Sequence, residues 1–298
     1  MLIMAETRMF RSAWLKWARA VEHQRDLGRA VTTYRAAQPF EYLRTDNMDD
    51  ADDPLVRVHW RFHLIEPHPE RWSVLLGDFL ANLRDALDHA LWDAVNHHSG
   101  PPAKPTLIHF PICVTENAFT KVAQKMEPLV APEVWDVIRR VQPFHLSEHA
   151  HKNPLAALHW LSNRDKHRAL HILARIHLDL TQDLVSSSQP IHIVEHQVHE
   201  GPIEDRTVLV RIKFERPSGA RQIDLQPIFA HGETLQISDD PRPENRTLAS
   251  TLQELAKAVL EVLFSLDHVM GQQTDLDSLH LGEPSCQPTM NENCTHRI

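Results

Sequence analysis

Glycine is scarce in this chain, 8 of 298 residues, and there are only 3 cysteines. With so little glycine, neither G-x-G-x-x-G nor G-x-x-x-x-G-K-[ST] occurs. The two common backbone cradles for nucleotide phosphates are therefore missing. Cys113, Cys286 and Cys294 form no Cys-x-x-Cys, which argues against a zinc ribbon and against a disulfide framework. No G-x-S-x-G provides a strained nucleophile elbow. No run approaches the ~18 continuous apolar residues of a membrane span. The opening MLIMAETRMFRS lacks the apolar core of a signal peptide, so a cytoplasmic, reducing location is expected. Aromatic residues make up 6% of the chain and show no RNP-like pattern for stacking bases. Positive charge is also short. The net charge of −9 speaks against an indiscriminate nucleic-acid binder, while leaving room for a local basic groove.

What remains is an ordinary globular composition, 42% hydrophobic and 24% charged, enough for one large domain or two modest ones. Residues 5–37 read as a long helix with a Phe10, Trp14, Trp17, Val21 stripe, ended by Pro39. The acidic run 46–53 offers oxygen ligands for a hard cation. It lacks the glycine and terminal glutamate of a calcium loop, so a solvated loop is the simpler reading. Val56, Val58, Trp60, Phe62 and Leu64 alternate with Arg57, His59, Arg61 and His63, which is a half-buried strand with a basic outer row able to face an anion. Thr115 and Pro132 open two short helices. Asn153 and Pro154 start another, read as running over 153–174. From about Ile172 the period becomes two, and Val208, Val210, Ile212 and Phe214 mark the clearest strand. Over 247–270, Leu248, Leu252, Leu255, Val259, Leu263, Leu266 and Met270 form a regular stripe that needs a partner.

The strongest helical pattern covers 72–98. Leu76, Phe79, Leu80, Leu83, Leu87, Leu91 and Ala94 share one face, with Asp78, Asn82, Asp85, His89, Asp93 and Asn96 opposite. On its border lies Arg84-Asp85-Ala86-Leu87-Asp88-His89. This hexamer resembles the active-site motif of HEPN-type ribonucleases, in which an arginine, a polar residue, three more residues and a histidine lie on a core helix. The resemblance implies a metal-independent endoribonuclease acting in stress or phage defence, on RNA, as a homodimer with a composite site and no cofactor. Arg84 would clamp the scissile phosphate, His89 would act as acid or base, and Asp85 would orient them. The same spacing also reads as an Arg84–Asp88 ion pair at i,i+4 with a solvated histidine.

In Ser162-Asn163-Arg164-Asp165-Lys166-His167-Arg168, helical projection puts Asp165 on the side of Leu158 and Leu161. A carboxylate on an apolar face calls for a partner, so Asp165 is expected to face the central helix and meet Arg84 or His89. Asp88, Lys166 and His167 complete this supporting set. Among 22 histidines, His145/His149 and His167/His171 have helical ligand spacing, and His89, Asp93 and His167 would form a metal site if their helices lie side by side. The series GDFLANLRDALDHALW, HFPI, VQPF and NPLAALHWLSNRDKHRAL, within 75–170, also resembles an uncharacterised bacterial protein family of the same layout, which implies a fold and no activity.

The expected fold is α+β: a helical bundle, an antiparallel β-meander over 172–240, and a C-terminal helix packing back on the bundle. Residues 1–271 are expected to form one interlocked domain, followed by a disordered tail over 272–298. Three functions follow. The first is a HEPN-like endoribonuclease. The second is a non-catalytic interaction or ligand-binding protein with a structural Arg/His/Asp network. The third is a His/Asp metal-dependent hydrolase.

Overall fold

A computed structural model describes residues 9–165, 171–177, 185–187, 190–219, 223, 225–227, 230–236 and 246–279. Helix α1 (Arg11–Ala36) is followed by strands β1 (Phe40–Asp46) and β2 (Leu55–Leu64) and the central helix α2 (Arg71–Ser99). Helices α3 (Glu116–Met126), α4 (Pro132–Arg140) and α5 (Pro154–Asp165) come next. Seven short strands follow: β3 (His171–His177), β4 (Val185–Ser187), β5 (Ile193–Val198), β6 (Pro202–Ile203), β7 (Val208–Glu215), β8 (Leu225–Pro227) and β9 (Ala230–Gln236). Helix α6 (Leu248–Val269) closes the series. No helix among the described residues is long and apolar enough to cross a membrane.

The α+β class and the returning helix hold. The apolar stripes of α1, α2, α5 and α6 meet in one hydrophobic cluster centred on Leu76, Phe79, Leu83, Leu87, Leu158, Val259 and Leu263. Polar tips on the α1 stripe fix its mating to α6. Trp14 Nε1 donates to Asp267 Oδ2 at 3.1 Å, and Trp17 Nε1 donates to the Ala256 carbonyl at 2.9 Å. The expected caps form, Thr115 accepting from Ala118 and Asn153 from Leu155, and Thr247 adds a further cap by accepting from Ser250.

Four expectations are corrected. The helix expected over 153–174 is described as α5 up to Asp165 and does not reach 171–174, because strand β3 begins at His171, where β-branched and alternating residues take over. His145 and His149 do not share an α-helical face, because the 3₁₀ segment Pro143–Lys152 is broken at Ser147 (φ 51°, ψ −121°). The strands are not a sequential meander. β5 and β7 join the early strands in the antiparallel order β1-β2-β7-β5, while β3 pairs with β6 and β9, and β4 with β8. Strand β1 alternates half-buried and exposed residues but buries none of them fully and sets Leu43 outward and Arg44 inward, so its hydropathy shows no period of two and it escaped notice. Finally, the expected tail begins too early. Leu276–Leu279 forms a 3₁₀ turn, and Leu279 is buried in the helical cluster. The rest of the expected tail, 280–298, with Cys286 and Cys294, lies outside the described residues.

The four-stranded sheet has its own core of Val56, Val58, Trp60, Phe62, Val210, Ile212 and Phe214, packed by Met48, Ile203, Ile223 and Leu225. In the acidic loop before β2, where a cation was one reading, the Arg216 guanidinium donates to the carbonyls of Asn47, Met48, Asp50 and Asp53. The positive charge that these oxygens face comes from the chain itself.

The segment between α2 and α3 is extended and buried at Ile108, Phe110, Ile112 and Cys113, yet it belongs to none of the described sheets. Buried backbone groups need partners, and here side chains supply them. Gln142, 1% exposed, donates to the Pro111 carbonyl at 2.9 Å, and its Oε1 accepts from Cys113 N at 2.9 Å. Phe144 N donates to the Cys113 carbonyl. Gln142→Ala orphans two backbone groups and should cost about 2–4 kcal/mol. Chemical denaturation measures this, and a loss below ~1 kcal/mol would mean that water replaces the amide.

Candidate functional site

Arg84 and Asp88 occupy successive turns of α2 and hold the preceding part of that same extended segment. Arg84 Nη2 donates to the Phe110 carbonyl at 2.6 Å and lies 3.2 Å from Asp88 Oδ1. Asp88 Oδ1 accepts from Phe110 N at 2.8 Å, and its Oδ2 lies 3.1 Å from His109 Nδ1. The pair therefore replaces the neighbouring strand that Phe110 lacks. The Arg84 side chain is 14% exposed. Burial pulls its pKa below the ordinary arginine value, and the nearby carboxylates of Asp88 and Asp85 oppose that shift. Its Nη1 is buried without a hydrogen-bond partner among the described residues.

A cleft of about 470 Å³ opens beside this pair, between α2, the segment around His109 and α5. Its walls are Ala81, Arg84, Asp85, Asp88, His109, His159, Ser162, Asn163 and Asp165. Most of the polar groups are already engaged. Asp85 bonds Lys16 of α1 at 2.7 Å. His159 Nε2 lies 3.1 Å from Asn163 Nδ2. His109 sits between the Asp88 carboxylate and the Thr106 carbonyl, each 3.1 Å from one of its ring nitrogens.

His89 is not among the residues lining this cleft. Five residues of helix rotate its direction about 140° from that of Arg84. It lies instead beside Asp93, whose carboxylate accepts from Phe10 N at the start of α1. Burial raises the Asp93 pKa, while the Phe10 hydrogen bond and His89 oppose the rise. The expected trio of Arg84, Asp85 and His89 thus does not converge within one protomer. The expected companions Lys166 and His167 lie outside the described residues. With them goes any test of a His89, Asp93, His167 metal site.

Asp165 does face the central helix as expected, but it makes no ion pair with Arg84 or His89. Its carboxylate lies over Gly77, where a Cβ would sit 2.7 Å from Oδ2. It is half-buried and has no hydrogen bond or ion pair to a described residue. Burial raises its pKa, and the neighbouring Asp78 raises it further. His109, His159, Lys16 and Gln142 were not foreseen. The partners of His109, Lys16 and Gln142 lie 21 to 69 residues away, while His159 meets Asn163 one turn along its own helix, so only the presence of His in HFPI and of Gln in VQPF hinted at the distant contacts. No family model, curated protein or solved structure matches the chain.

Two outcomes follow. Alanine in a helix interior is favoured over glycine by about 1 kcal/mol. Gly77→Ala should recover this gain in an Asp165→Ala background and lose it in the wild type, where the methyl meets the carboxylate. A double-mutant cycle by urea unfolding measures the coupling, and equal effects in both backgrounds would contradict the close approach. For Asp165 itself, the folded-state pKa lies above the unfolded one. Its ionisation therefore opposes folding, and the penalty appears as pH rises through the carboxylate range and is complete above the folded pKa. Asp165→Asn should raise Tm at pH 7, with the gain vanishing at pH 3. A gain of equal size at both pH values would assign the effect to packing.

Proposed function

We propose that the protein is a non-catalytic ligand-binding protein in which Arg84 and Asp88 are structural and the cleft beside them takes a small molecule. The observation that carries this reading is the use of Arg84 and Asp88 as the backbone partners of Phe110. A phosphate clamp needs a guanidinium free to change partners. Here withdrawal would leave the Phe110 carbonyl and a half-buried carboxylate unpaired, at a cost of roughly 3–5 kcal/mol. An acid–base histidine needs a nitrogen directed at the substrate. Within the cleft, His109 has both nitrogens engaged and His159 has Nε2 engaged.

Asp165 sets the ligand class. A desolvated carboxylate held next to another carboxylate, with no cation among the described residues to answer it, is a costly arrangement of the kind that functional sites retain. The complementary ligand carries an ammonium or guanidinium group on a body small enough for the cleft. Purified protein should be screened by thermal shift against spermidine, agmatine and arginine, with Asp165→Asn alongside. A ligand-dependent rise in Tm for the wild type, absent in a variant that is itself more stable, supports the reading. No shift with any amine, or an equal shift in the variant, removes Asp165 from ligand recognition.

A second reading is the HEPN-like, metal-independent endoribonuclease, with RNA as substrate and a homodimer as the active form. It draws support from Arg84 Nη1, a buried donor beside the cleft without a partner among the described residues. In this reading His89 acts with the Arg84 of a second copy. Cleavage of RNA in EDTA, leaving 2′,3′-cyclic phosphate ends and lost in folded His89→Ala, would favour it over the binding protein. Activity unchanged in His89→Ala would exclude it.

A further inference from the structure

The basic row of β2 has no part in the cleft. Alternation places Arg57, His59 and Arg61 on the face opposite the buried Val56, Val58, Trp60 and Phe62. Strand β7 does the same with Arg211 and Lys213. The register sets Arg57 against Lys213 and His59 against Arg211. Like charges directly opposed across strands weaken a sheet, so this row is kept at a cost. A register shift between Trp60 and Arg61 brings Arg61 opposite Val208. Such irregularities re-aim side chains.

The neutralisation of these cations is uneven. Arg57 is paired with Asp53, and Lys213 approaches Glu195 only to 3.9 Å. Arg211 donates to the neutral Gln197 at 2.8 Å. Arg61 has no ion pair among the described residues, and both arginines are exposed. His59 sits between the two. Its pKa is lowered by burial first and then by Arg211 and Arg61, which marks the same spot as one of uncompensated positive potential. This stands in a chain whose net charge is −9.

The shape of the patch restricts its partner. The cationic lane is two strands wide, ~5 Å from β2 to β7, and runs ~13 Å from Arg57 to Arg61. Glu195 on β5, opposite Lys213, borders it on one side, and Glu41 on β1, opposite His63, stands just past its Arg61 end on the other. Acidic borders repel a broad anionic surface such as a membrane and leave a narrow polyanion as the fitting occupant. The outer rows of the two central strands hold no Phe, Tyr or Trp, so base stacking is limited to the imidazoles of His59 and His63 and contacts fall mainly on the backbone.

We propose that this face binds the phosphodiester backbone of a single-stranded nucleic acid, with Arg61 and Arg211 gripping phosphates on either side of His59. The proposal is independent of what the cleft does, since a strand can dock on the sheet whether or not the protein cleaves it.

The test is fluorescence anisotropy with a labelled 20-nucleotide oligo(U) RNA in EDTA, at 50 and 200 mM salt. Four phosphate contacts on a single strand predict a log K against log salt slope of about −2.8, hence about 50-fold weaker binding at the higher salt. Arg61→Ala/Arg211→Ala, both changes at exposed positions, should reduce the slope to about −1.4 and weaken binding at least tenfold at 50 mM. Lys121→Ala/Lys125→Ala on exposed α3 removes the same charge elsewhere and should leave binding within about twofold of wild type. An oligo(dT) of equal length should bind comparably, because the bases are not read. The proposal is overturned if wild type does not bind at 50 mM salt, or if both double variants lose affinity equally. Preferential binding to vesicles rich in phosphatidylserine over the oligonucleotide would also overturn it, and would assign the face to a membrane.

Discussion

A buried, extended segment outside the described sheets is the constraint around which the helical part of this molecule is arranged. Around Phe110 and Cys113 the chain crosses the core with its peptide groups away from water, and helix side chains serve as the missing strand. Arg84 and Asp88 take one peptide and Gln142 takes the next, which joins α2 and the end of α4 through a common ligand. The arrangement explains why a guanidinium with very little exposure is tolerable: its charge is met by Asp88 and its geometry by the Phe110 carbonyl.

The cleft is a by-product of that clamp. Fixing the segment beside α2 places His109 on one wall, and packing α5 against α2 places Asp165 on the other. Gly77 is the enabling residue, because any side chain there would displace the Asp165 carboxylate. The price of the cleft is a carboxylate held beside Asp78 with no cation among the described residues to answer it. A fold selected for stability alone would place an amide or a cation at that point, and this is the physical argument for a ligand.

The sheet follows a separate logic. Its core is distinct from the helical one, and its entry loop is organised by Arg216, which reaches four carbonyls of the acidic run. Cations thus play two parts in this half of the molecule. Arg216 is fully engaged inside the loop, whereas Arg61 and Arg211 face outward over the sheet without an ion pair among the described residues. The first stabilises the fold, and the second creates a surface potential that the net charge of the chain conceals.

Local periodicity was sufficient for the helices, their caps and the two central strands. The stripe of α2, the caps at Thr115, Asn153 and Thr247, and the alternation of β2 and β7 all depend on neighbours within a few residues, and such patterns are written in the sequence. So was the i,i+4 pairing of Arg84 with Asp88, and so was the divergence of Arg84 and His89, since five residues of helix rotate by a fixed angle. What Arg84 and Asp88 hold was not readable, because Phe110 is more than twenty residues away and nothing local pairs them. The strand order β1-β2-β7-β5, the burial of Gln142, the approach of Asp165 to Gly77 and the capture of the acidic loop by Arg216 were likewise decided by packing. Each joins groups remote in sequence, so each depends on which surfaces the chain can bury together and not on the preference of any single stretch.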